Sequence, residues 1–275
     1  MVDNRVHGAL DRAINTTAFE YAARAGYATS GVLHLLLGYI IVRLAFGGGG
    51  ASQNADQSGA LATLASSGGG AVSLWLAAIG LFGLAAWRLA ETVVGSHPNE
   101  PTDDDKGAKK QFKRAKSLAL AIVYCGLAVS AIRFATGSGQ NSGQQNSGMS
   151  AQLMQSTSGK ALLIIVGLVV IGVGGYHVYK GASEKFLDDL KVSGGSVITP
   201  LGKVGYIAKG VVLAGAGLLV IFATVTADPA KASGIDAAVK TLGGAPFGQF
   251  LLVAAAVGFA AYGAFCFAMA RYARL

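Results

Sequence analysis

Charge is what this sequence has least of. Only 13% of its 275 residues are Asp, Glu, Lys or Arg, against 52% hydrophobic ones, where soluble domains carry roughly 25% charged residues. A chain this poor in charge cannot cover its surface with polar groups, so the composition points to a bilayer. Acids are scarcest inside the apolar runs, which hold no Asp and whose sole Glu, Glu91, stands at a boundary. That excludes a carboxylate proton relay buried in the membrane. Cysteine is nearly absent, and both copies, Cys125 and Cys266, lie inside apolar runs; they read as free, buried and structural rather than as a disulfide. No serine, cysteine or histidine stands at a recognisable catalytic spacing, so no enzyme activity, cofactor or metal is expected.

What the sequence does have is six apolar runs, each near the roughly twenty residues that cross about 30 Å of hydrocarbon. They cover residues 26–46, 71–90, 117–135, 161–179, 205–226 and 248–270. Residues 1–18 form a weakly amphipathic leader, with Val6, Leu10 and Ile14 at helical spacing. It contains Asp3 and Asp11 but no apolar core, so no signal peptide is expected. The first, third and fifth runs each follow a cation, at Arg24, Arg114 and Lys203, and each is paired with a second run. The second runs align through Gly83, Gly172 and Gly263, followed four residues later by Trp87, Tyr176 and Phe267. The chain is therefore three copies of a two-span unit, at 19–95, 112–182 and 202–275, with polar linkers at 96–111 and 183–201. Units with an even number of crossings enter from one side, so the expected architecture is an all-α, pseudo-threefold bundle of parallel repeats; an open, serial arrangement is the alternative.

The net charge of +8 and the pI near 9.5 invite a nucleic-acid reading. The cations, however, alternate along the chain. Arg43, Arg133, Lys160, Lys231 and Lys240 fall on one side of the membrane, and all the rest of the 22 fall on the other. The excess marks the cytoplasmic side, with both termini there, so no nucleic-acid partner is expected. The Gly/Ser/Gln-rich segments at 47–59 and 137–148, and the connection 227–244, then face outward. The first two read as flexible. Short amphipathic helices are expected near 60–66, 150–156 and 235–242, with Leu61, Leu64, Leu153 and Met154 resting on the outer interface.

The motifs ARAGYATSGVLHLLLGY, SGALATLA and GLFGLAAWRLAE, with APFG at Ala245 to Gly248 in the third copy, resemble the bacterial membrane-protein family known as domain of unknown function 1206. The resemblance is strong for the first and third copies and weaker for the second. It implies three tandem two-helix modules in a bacterial cytoplasmic membrane, and no activity.

Among single residues, Arg43 and Arg133 occupy equivalent places three residues before their runs end, while Phe222 stands there in the third copy. Snorkelling to the outer surface accounts for both, and an anionic lipid headgroup or a partner's carboxylate is the functional alternative. His34 lies about 12 Å into its run at 1.5 Å per residue, whereas His177 stands near the end of its own. Bis-histidine haem ligation is therefore not expected, and His34 reads as a helix-packing residue. Gly83, Gly172 and Gly263 are expected where helices approach closely, since small residues let backbones meet where lipid gives no hydrophobic drive. The functional expectation is a non-catalytic accessory or scaffold subunit packed against other membrane proteins of a respiratory or envelope assembly. A small-solute channel or carrier along the pseudo-threefold axis and a lipid-binding protein are the alternatives.

Overall fold

The computed structural model describes residues 17–47, 54–94 and 108–274. The expected leader up to residue 16, and most of the 96–111 linker with Asp103 to Asp105, lie outside the described residues. Six long apolar helices are present: α1 (Thr17–Ala45), α3 (Gly70–Val94), α4 (Ala108–Ala135), α6 (Thr157–Ala182), α7 (Gly195–Thr226) and α9 (Gly248–Tyr272). The chain is thus a multi-pass membrane protein. Between the members of each pair sits a short helix, α2 (Gln57–Ala65), α5 (Ser142–Leu153) or α8 (Ile235–Gly244). The end carrying Arg24, Arg114 and Lys203 is called here the basic end, and the end carrying the short helices the lid end. α1, α4 and α7 stop at the lid end where hydropathy stops, but begin well before the apolar run. In α4 that extension is mostly Lys and Arg, good helix formers, so the helix continues past the hydrocarbon.

The long helices stand in a ring in the order α4, α3, α1, α9, α7, α6. Every junction between repeats is closely packed: α3 on α4, α6 on α7, α9 on α1. Within repeats, α1 packs on α3 and α7 on α9, but α4 and α6 of repeat 2 do not pack in this way. The bundle is pseudo-threefold with one loosely packed seam, which Lys116 of α4 crosses to stand 5.2 Å over the Tyr176 ring of α6. The apolar windows of α3 and α9 are accordingly 56% and 50% buried, and those of α4 and α6 only 17% each.

Glycines mark the close junctions. A Cβ on Gly174 would sit 2.6 Å from the carbonyl oxygen of Gly210, and one on Gly217 equally near that of Gly167, so α6 and α7 touch backbone to backbone. Gly83 faces Ala22 of α1, and Gly263 faces Gly31, where a Cβ would meet backbone oxygens at 2.7 and 2.9 Å. The expectation for Gly172 fails: nothing lies within 4 Å of its Cβ position. Its counterpart Gly83 sits against the first span of its own module, while Gly172 looks into the seam; Gly263 meets Gly31 as Gly174 meets Gly210, and so is the counterpart of Gly174.

Residues 54–59 and 137–148 are ordered where the sequence suggested flexible loops, and residues 48–53 of the first loop lie outside the described residues. Asn141 caps α5 by accepting from the Gln144 amide, and α5 takes in most of the Gly/Ser/Gln segment. The amino ends of the three short helices meet. The Ala55 amide donates to Asp236 Oδ1 at 2.8 Å, Asn141 Nδ2 to Asn54 Oδ1 at 2.7 Å, and the Ser142 amide to Ser58 Oγ at 3.1 Å. Leu61 is wholly buried and Met154 nearly so, packing inward instead of lying on the interface. The lid-end core beneath them includes Leu37, Ile41, Val212, Val239 and Phe259. At the basic end, residues 183–201 also belong to the fold. Phe186 and Leu190 are fully buried beside Tyr206 and Phe265, and the Lys191 amide donates to the Tyr272 carbonyl at 2.7 Å.

Candidate functional site

The interior of the basic half is polar and aromatic, in contrast with the apolar core under the lid. α3 contributes Glu91, whose carboxylate accepts from Trp87 Nε1 at 2.9 Å, Arg88 Nη1 at 2.7 Å and Ser117 Oγ at 3.0 Å. Arg88 Nη2 in turn donates to Tyr27 Oη at 3.1 Å. The cluster joins α1 and α3 to α4, so it fastens repeat 1 to repeat 2. Its charges are balanced, which makes it structural.

A second cluster gathers residues of α1, α6, α7 and α9. His34 Nδ1 lies 2.7 Å from the Ser30 carbonyl oxygen. A carbonyl only accepts, so Nδ1 carries the hydrogen, and in the neutral ring Nε2 is a bare acceptor. That Nε2 is buried without a partner. The His34 ring packs 4.7 Å from Tyr262 and 6.1 Å from Phe259, centroid to centroid. Lys209 Nζ stands 4.0 Å above the same Tyr262 ring. His177 likewise gives its Nδ1 hydrogen to a carbonyl four residues back, that of Val173 at 2.8 Å, and packs 5.7 Å from Tyr206.

Three cations of the basic half have carboxylates of their own, Arg88 with Glu91, Lys180 with Asp189 and Lys203 with Glu184, while Lys116 Nζ stands 5.2 Å over the Tyr176 ring. Among the described residues none pairs with Lys209. Nor, among them, do three His, Cys, Asp or Glu side chains converge as a metal site would require. A haem iron between the histidines would add positive charge beside Lys209 instead of balancing it.

Tandem matches give the repeats a common frame. A family profile described as Domain of Unknown Function (DUF1206) matches residues 25–95, 115–184 and 204–273, most of the chain. The chain belongs to the DUF1206 family. A Bacillus subtilis (strain 168) protein described as "Uncharacterized protein YxxB" is 28% identical over 246 residues, covering 87% of this chain and 86% of that one. No solved structure matches this chain. The DUF1206 frame shows how unevenly the polar interior is distributed. Lys209 is equivalent to Ser30 and Leu120, and His34 to Tyr124 and Leu213.

The other expected site residues stand apart from this cluster. Arg43 and Arg133 are exposed at the lid end, with Arg43 5.9 Å over the Tyr39 ring. In repeat 3 the cation comes from outside the span, Lys231 Nζ lying 4.9 Å over Phe222. All three modules thus carry a cation on the lid-end rim. Sequence reasoning missed Lys209, because it stands near enough to the basic end to be grouped with the flanking cations. A signal was present: it lies one turn beyond Tyr206 and one turn before Leu213, the equivalent of His34, and so on the same inward face.

Proposed function

We propose that this DUF1206 protein is a non-catalytic accessory subunit of the bacterial cytoplasmic membrane, docking against another membrane protein through its second repeat. The carrying observation is the seam between α4 and α6. A transmembrane glycine contributes to association when a second backbone lies against it, and Gly172 has no such neighbour while Gly83 and Gly263 do. A partner helix seated in the seam supplies that backbone, and lipid tails fill the space in the partner's absence. The positive-inside bias supports the basic end, and hence both termini, as cytoplasmic. Respiratory and envelope assemblies are the first partners to inspect. The hydrogen-bonded lid argues against a through pathway on the axis, which weakens the channel reading.

The test is purification from native membranes in mild detergent, comparing wild type with Gly172→Leu. A stoichiometric membrane partner that is lost in Gly172→Leu, with thermal stability unchanged, is the expected result. A wild-type protein that emerges alone, or a partner retained in the variant, refutes docking at the seam. Orientation is read with an impermeant thiol reagent on intact cells, using single cysteines at Ser138 and Ser193 in a Cys125→Ala, Cys266→Ala background. Labelling at Ser193 alone would invert the assignment.

A further inference from the structure

We infer that the basic-half interior around Lys209 and His34 binds one anionic oxygen group, a phosphate or a carboxylate, independently of any docking at the seam. Two separate observations point to a ligand. Lys209 is a partly buried cation inside a span that has no carboxylate partner among the described residues, its Nζ standing 4.0 Å over the face of Tyr262. His34 is more than nine-tenths buried, yet its Nε2 has no hydrogen-bond partner. An interior cation without a counter-charge and a buried imidazole nitrogen without a partner are each costly, and here they share one aromatic ring.

The internal repeats show that the fold does not require either group. The same structural positions hold Ser30 and Leu120 in place of Lys209, and Tyr124 and Leu213 in place of His34. The module therefore demands neither a cation at the first place nor an imidazole at the second, and their pairing beside Tyr262 is particular to this part of the bundle. The bond to Ser30 fixes the ring so that only Nε2 faces a ligand. Lys209 meets the anionic oxygen, while Nε2 accepts from a hydroxyl on the same group, or donates to it once protonated. The apolar core and lid close the opposite half of the axis, so a group bound here is held instead of passing through.

The experiment measures ligand binding to full-length protein in neutral mild detergent. Its ligands are phosphatidylglycerol, phosphatidylcholine and inorganic phosphate, and its readouts are thermal shift and the count of bound molecules by native mass spectrometry. Binding of one phosphatidylglycerol but not phosphatidylcholine identifies a lipid headgroup as the source, and a shift with inorganic phosphate alone identifies a free anion. In either case Lys209→Leu weakens binding roughly tenfold or more, the loss expected of one charge-assisted hydrogen bond. Lys209→Arg retains it, and Arg43→Gln on the rim leaves it unchanged. Because repeat 2 carries leucine at this position, Lys209→Leu folds, and its unfolding temperature without ligand is at least that of wild type. No anion-specific binding, or binding that survives Lys209→Leu, overturns the assignment.

Discussion

Repeats 1 and 3 hold their own two spans together, α1 against α3 and α7 against α9, whereas repeat 2 keeps α4 and α6 on opposite sides of a seam. Yet α4 and α6 are each firmly packed on a neighbouring repeat, through the Glu91 cluster on one side and the glycine pairs 167/217 and 174/210 on the other. The difference teaches that a module's place is set by its neighbours, and that contact between its own two spans is dispensable. It also explains why three similar sequences give three unequal environments. The same glycine is a packing contact in the first module, at Gly83, and an open position in the second, at Gly172.

The sharpest way to break this comparison is to release repeat 2 from repeat 1. Glu91→Ala strands the partly buried Arg88 and removes the acceptor for Ser117, and losing one member of a buried pair costs about 3–5 kcal/mol. Protease accessibility of α4 should rise while the α6–α7 junction stays protected, as hydrogen exchange would report. If both junctions loosen together, the repeats are not held separately. The next effect compares glycines of the second spans. Leucine at Gly83 or Gly263 runs into backbone and should cost about 1–3 kcal/mol, whereas Gly172→Leu stays within about 0.5 kcal/mol of wild type or gains from helix propensity. Equal losses at all three positions in thermal unfolding would mean that the seam closes in the membrane.

The smallest effect concerns the lid, where the three repeats come nearest to equivalence. Asp56 caps α2, accepting from the Gly59 amide and the Ser58 hydroxyl. Burial, with Asp236 nearby, raises its carboxyl above the ordinary 3.8 despite those bonds. A carboxyl raised by folding favours the folded state most below 3.8, and loses that advantage as pH rises through its folded value. Asp56→Asn keeps the cap and removes the titration, so the variant should match wild type in acid and exceed it near neutrality. Asp56→Ala, which removes the cap, should lose about 1 kcal/mol. A wild type more stable than the Asn variant at neutral pH would contradict the burial.

The fold was largely legible because two strong signals, apolar length and cation placement, repeat three times. The Gly172 environment was not legible, since alignment of modules reports shared position and says nothing about whether a neighbour is present. The lid was misread for a related reason. Residues such as Ser142, Gly143 and Asn146 carry little helix preference of their own, and the helix they enter is held by Asn141 and by bonds to the other repeats, which composition cannot express. At the site, His34 was visible as an isolated polar residue, but Lys209 was hidden by its closeness to a cluster of flanking cations.

The heavier packing lies between modules instead of within them. A single two-span module would therefore leave its largest contact faces bare, one meant for the module before it and one for the module after. Those faces are complementary to each other, not to themselves, and such a head-to-tail interface closes into a ring when the rotation per copy divides the circle. In a protein of one module the ring would take three separate chains, identical at every level of the axis. Fusing three copies into one chain relaxes that identity, so that one module can carry a lysine, another a histidine and a third can stand open.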